Sequence, residues 1–240
     1  MSTAQDTVIS TPELLEATLL QLPMRDLLVT APRISKTWHA VTLSPIIQRA
    51  LFFETDPSAS KRVRNPLLRK LFPPFFARPP PANSQRSQSA VWPGNADAIL
   101  AMPWSKAPDA FKDAEASWRR MLVAQPPVQT VRITQTINSF MCNPERHGAL
   151  KHSDMPLRMG GLYDLTLSFL DDDDTCFRIS WRRNTEDQSK MEDEPKMESD
   201  IILEIVVEQG CLSPIEKWTM DEQFCSDGAK AMEIVWGKWD

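Results

Sequence analysis

The chain has 240 residues, of which 20 are proline and 7 glycine, and every glycine lies at Gly94 or later. Phosphate-cradling loops and dinucleotide fingerprints need glycine where backbone meets phosphate, and neither pattern occurs here. The net charge of −5 divides into +5 over residues 1–120 and −10 over residues 121–240, but aromatics do not interleave the basic residues in a recognisable nucleic-acid-binding pattern, so no DNA or RNA partner is expected.

Residues 1–6 are expected to be disordered. Beyond them, Thr11-Pro12, Ser44-Pro45 and Asn65-Pro66 each set a side-chain acceptor just before a proline. That order suits an N-cap followed by the first helical position, where the missing N–H costs nothing. A first helix is predicted from Pro12 to about Gln21, because Leu22 precedes Pro23 and is pushed out of the helical region. A second runs from Met24 to Ala31 and stops at Pro32. Ser35 caps a third through Trp38 and Val41, and Pro45 opens a fourth through Phe53. In the helical extension 54–77, Pro66 starts a fifth helix, Leu67 to Phe72, which Pro73-Pro74 ends. Residues 78–95, rich in Pro, Ser, Gln and Asn, read as a linker or mobile loop.

Residues 96–240 read as a mixed region. Phe111, Ala114, Trp118, Met121 and Leu122 lie on one face of an amphipathic helix predicted over Pro108 to Ala124, ended by Pro126-Pro127. Val128 to Ile137, Cys176 to Trp181 and the β-branched run Ile201 to Val207 read as strands. Gly160 to Leu170 fits either period and is assigned to a helix. Asp171 to Asp174 reads as a surface turn and Asn184 to Asp200 as a charged loop. Ser213-Pro214 repeats the cap-and-proline start for a short helix through Trp218, and Met232, Ile234 and Trp236 alternate as a last strand. The expected fold class is α+β, with short N-terminal helices followed by a mixed region with a small sheet.

Few residues suggest chemistry. Cys142, Cys176, Cys211 and Cys225 form no C-x-x-C pair, and His147 and His152, in a predicted loop, complete no zinc set. The aspartate run 171–174 lacks calcium-loop spacing, and no serine or cysteine has the context of an activated nucleophile. The expectations are therefore reduced structural thiols, no metal or cofactor, and no catalysis. No apolar run approaches the ~18 residues of a membrane span, and the N-terminus lacks a basic start followed by an apolar block. A cytoplasmic or nuclear protein is expected, with Lys61-Arg62-Val63-Arg64 as a weak nuclear signal.

Of the 42 residues from Pro12 to Phe53, 22 are apolar. A unit that small covers its own apolar surface poorly, so its leucines need a second surface. On the first helix Leu15, Leu19 and Leu22 share a stripe, with Leu14 and Leu20 beside it, an arc wider than one packing contact requires. The successive pieces Thr11-Pro12-Glu13-Leu14-Leu15, Leu19-Leu20-Gln21-Leu22-Pro23, Asp26-Leu27-Leu28 and Ile34-Ser35-Lys36-Thr37-Trp38 resemble an F-box in order and spacing. The resemblance covers residues 7–53. Downstream, Asn65-Pro66-Leu67-Leu68 with Leu71-Phe72-Pro73-Pro74-Phe75-Phe76, Gln125-Pro126-Pro127 and Met159-Gly160-Gly161-Leu162-Tyr163-Asp164 look like recurring elements of fungal F-box proteins. Pro32 departs from the polar or basic residue more usual in the family.

The resemblance implies an adaptor that docks on the Skp-family linker of a Skp–cullin–F-box ubiquitin ligase, reaches cullin through it, and recruits an unknown protein substrate with residues 96–240. It implies that Pro12, Leu14, Leu15, Leu22, Pro23, Leu27, Leu28, Ile34 and Trp38 face the linker or brace the faces that do. Two alternatives stay open: an F-box protein with a scaffolding or assembly role outside the ligase, and an α+β interaction module whose N-terminal helices pack internally.

Overall fold

The computed structural model describes residues 9, 11–77, 93–103, 113–138, 145–151, 155–170, 175–181, 200–208 and 235–236. Short N-terminal helices precede a mixed six-stranded sheet with helices packed on it, which is the α+β class expected.

Proline spacing and capping set the N-terminal helices. Helix α1 (Pro12–Leu19) begins on its proline, although the Thr11 side chain makes no capping bond. It stops two residues before the predicted end: the N–H groups of Gln21 and Leu22 turn back to the carbonyls of Thr18 and Leu19, tightening the last turn ahead of Pro23. Helix α2 (Met24–Val29) is likewise shorter than predicted. Pro32 does not simply stop it. It sits at the start of a 3₁₀ turn, Ala31–Arg33, where a missing N–H is harmless.

Helix α3 (Lys36–Thr42) is capped as expected, Ser35 Oγ accepting the Trp38 N–H at 3.2 Å. Ser44 Oγ does the same for Ile47 at 3.3 Å at the start of α4 (Pro45–Ala50). That helix ends three residues before the predicted Phe53. Phe52 takes a left-handed φ of 63°, and Phe52 and Phe53 donate to the carbonyls of Arg49 and Gln48, a Schellman stop with phenylalanine in the usual glycine position.

Strand β1 (Val63–Arg64) leads to α5 (Pro66–Leu71), whose cap Asn65 accepts from Leu67 and Leu68. Pro73-Pro74 was expected to end helical structure; Pro73 instead opens another turn, α6 (Pro73–Phe76), because proline suits the first helical position. The expected linker, 78–95, ends sooner than predicted. Gly94 and Asn95 form strand β2, paired with Phe177 and Cys176, and α7 (Ala96–Leu100) follows under an Asn95 cap.

The long helix predicted to Ala124 is absent from residues 113–124, where only α8 (Ser117–Arg120) is helical. Met121 to Ala124 are fully buried in an extended strap that leads into β3 (Ala124–Gln125). Backbone groups of Met121, Leu122 and Val123 bond Met159, Phe52 and Asn65 respectively, and these tertiary partners replace helical ones. The Gln125–Pro126 peptide is cis.

Strand β4 (Thr130–Asn138) pairs antiparallel with β5 (Glu145–Lys151). The predicted loop around His147 is thus a strand; its sequence, ERHGALK, has little apolar alternation to reveal it. Helix α9 (Met159–Leu167) confirms the helical assignment of that segment. It crosses to β6 (Thr175–Trp181), which pairs antiparallel with β7 (Ile201–Glu208). β7 then lies parallel to β4, joining the two antiparallel pairs in the order β2-β6-β7-β4-β5-β8, with β8 (Val235–Trp236) on the edge. β1 and β3 form a separate pair.

Val131, Ile133, Phe177, Ile179, Trp181, Ile201, Leu203 and Ile205 share the sheet's inner face and its core with α5, α6, α8 and α9. The extension is therefore part of the sheet's core, through Leu68, Phe72, Phe75 and Phe76. Trp118 and Trp181 are buried. Among the described residues no helix is long and apolar enough to cross a membrane. Residues 1–6, the turn 171–174, the loop 184–199, the helix after Ser213, Trp104, Trp218, Trp239, His152, Cys142, Cys211 and Cys225 lie outside the described residues.

Candidate protein-docking surface

A second, smaller core lies within the N-terminal helices: Leu15, Leu19, Leu27, Ala31, Ile47 and Leu51 pack together, with Trp38, Val41, Leu28 and Phe53 half-buried against them. Leu15 and Leu19, four apart, form the inward stripe of α1. Leu22 was expected on that stripe. Because α1 ends at Leu19, Leu22 leaves it and is exposed.

The nine residues singled out in the sequence thus separate. Leu15 (1% exposed) and Leu27 (3%) are core, and Leu28 and Trp38 are half-buried. Pro12 and Pro23 are exposed, as are Leu14 (46%), Leu22 (37%) and Ile34 (55%). Three further exposed apolar side chains, Val29 on α2, Leu43 just after α3 and Ile46 on α4, escaped the sequence reading. Leu43 and Ile46 flank the Ser44-Pro45 corner, a place where an apolar pair that turns outward shows no periodicity.

Seven of the ten large apolar side chains exposed among the described residues, counting Ile9, lie at or before Ile46. Scattered single exposures are ordinary, whereas seven on one small unit make a candidate interaction surface. Glu13, Arg25, Asp26, Arg33 and Lys36 are exposed on the same helices, so charges of both signs are interspersed with the apolar residues, as in a polar interface rim.

The sheet unit presents a different face. Arg178, Glu204, Thr134 and His147 stand in one row across β6, β7, β4 and β5. The Arg178 guanidinium donates to the Glu204 carboxylate, Ser180 Oγ donates to its other oxygen at 3.3 Å, and Thr134 Oγ1 lies 3.2 Å from His147 Nδ1. Each is half-buried, a polar outer face on a one-sided core. Among the described residues no group of three His, Cys, Asp or Glu side chains could hold a metal ion.

Between the two units lies the strap. Asn65, fully buried, donates its backbone N–H to Val123 O at 3.0 Å and its side-chain amide to Leu122 O at 3.2 Å. Gln125 Nε2 donates to Arg49 O at 3.0 Å and Glu54 O at 2.9 Å. Arg158 donates to the carbonyls of Phe53 and Arg120. Comparison with protein-family models, curated proteins and solved structures returned no match.

Proposed function

We propose that this protein is an adaptor that docks through its N-terminal helices on the Skp-family linker of a Skp–cullin–F-box ubiquitin ligase and carries a protein substrate with residues 96–240. The observation that carries the reading is the division of labour within one small helical unit. Leu15, Leu19, Leu27 and Ile47 supply its core, while Leu14, Leu22, Val29, Ile34, Leu43 and Ile46 remain exposed. The F-box-like order of the pieces that contain Leu14, Leu15, Leu19, Leu22, Leu27 and Ile34 is the basis for naming the Skp-family linker as its partner. On this reading the chain performs no chemistry; ubiquitin transfer belongs to its partners, and this subunit contributes proximity.

The test is capture of purified linker by the full chain. Interface truncations that matter cost more than about 1 kcal/mol each, so Leu14→Ala combined with Ile34→Ala weakens capture by about tenfold or more while the thermal midpoint holds. A folded double variant that captures linker like wild type overturns the reading. Capture of linker without cullin, from a mixture containing both, would replace ligase recruitment with a scaffolding role.

A further inference from the structure

Three sequence elements stand apart from the docking surface: the Asn65-Pro66 start, Gln125-Pro126-Pro127 and the Met159-Gly160-Gly161 start of α9. The fold brings the first and third to the strap 121–124 and to Arg119 just before it, and Gln125 directly follows the strap. Asn65 holds Leu122 and Val123. The Met159 N–H reaches Met121 O at 2.8 Å. A Cβ added at Gly160 would meet Arg119 Cβ and O at 3.0 Å, so a bare glycine backbone lets α9 approach there. From the other side, the strap grips the end of the N-terminal helices. Leu122 N–H donates to Phe52 O at 2.7 Å, and both Gln125 bonds go to carbonyls that flank the α4 stop.

The two cores are separate clusters, and the side chains packed against both, Leu28 and Phe53, are half-buried. The hydrophobic effect itself is non-directional. Hydrogen bonds have preferred directions, and Gln125 supplies two from a nearly buried side chain. We propose that Gln125 is a positioning residue that locks the docking helices to the sheet unit at one angle, so that a partner on the helices and a ligand on the sheet are held at a set separation. The join is a property of the chain by itself and holds whichever protein docks.

The experiment places spin labels on genetically encoded side chains at Thr37 and Asp97, both exposed and on opposite sides of the join, and measures their distance distribution in the full chain without partners. Wild type gives one narrow peak. Gln125→Met keeps the shape and removes both donors; Gln125→Glu sets a carboxylate against two carbonyls. Both are expected to broaden or split the peak while amide exchange in β4 and β7 stays as slow as in wild type. A broad wild-type distribution overturns the proposal, as does a wild-type peak retained by both variants. Loss of protection in β4 and β7 also overturns it, because Gln125 would then hold the fold rather than the angle. Linker capture is not part of the readout, so failure here leaves the docking surface intact.

Discussion

Tyr163 is the only tyrosine of the chain and lies in a ring cluster, with centroids 5.4 Å from Trp118, 5.9 Å from Phe75 and 6.1 Å from Phe72. Burial pushes its phenol from 10.0 up to about 12; the Asp164 carboxylate adds to the rise and Arg119 opposes it. An unfolded chain ionises this phenol near 10.0 while the native one still holds its proton. The group's contribution is therefore complete below that pH and lost as pH rises from 10.0 toward about 12. A phenolate absorbance titration reports this residue alone, and its midpoint is expected well above that of the urea-unfolded chain, with the urea midpoint falling over the same range. Coincident native and unfolded titrations would refute the burial argument. The N-terminal leucines show the same dependence on tertiary packing. The order Pro12-Glu13-Leu14-Leu15 identifies two adjacent leucines, but only packing against Leu27 and Ile47 decides that Leu15 turns inward and Leu14 outward.

Elements were legible where their signals are local. Ser35, Ser44 and Asn65 cap the helices that their sequence context announces, because the acceptor and the N–H it receives are two or three residues apart. The strands β4 and β6 follow from alternation, which one-sided burial requires, and β7 from its β-branched run. Two elements fail for a common reason. The strap 121–124 has helical apolar spacing, and β5 has almost no apolar pattern, yet each is extended because distant backbone groups bond it. β2 shows the same dependence on a distant neighbour. At Gly94 an added Cβ would fall 2.3 Å from the Phe177 ring, and that ring is fully buried against Phe75 at 5.1 Å. Gly94→Ala must displace a core aromatic, so it should lower stability by about 1–3 kcal/mol. Urea unfolding measures this; an unchanged midpoint would mean that the edge yields and Phe177 does not.

At the scale of the molecule, what reads in sequence as a docking module, an extension and a recruiting region is joined more closely than those divisions suggest. Residues of the extension sit in the sheet's core, Arg62 bonds Asp200 at 2.6 Å beside the start of β7, and Leu28 and Phe53 touch both clusters. Leu15→Ala, within the N-terminal core, and Phe75→Ala, beneath the sheet, should each cost about 2–5 kcal/mol. Both should lower the midpoint of one shared transition, followed by tryptophan fluorescence and far-ultraviolet dichroism. A Leu15→Ala trace that splits into two steps would show that the helical unit unfolds on its own.

The sequence by itself determined the starts of α1 to α5, the strands β4, β6 and β7, the α+β class and an N-terminal surplus of leucine, because caps, prolines, β-branching and period-two burial act over a few residues. Tertiary structure alone decided which leucines stay exposed, that the Asn65, Gln125 and Gly160 segments meet at one strap, and that β5 and β2 exist. Those outcomes depend on hydrogen bonds and contacts between segments tens of residues apart, for which no local pattern in the chain is a record.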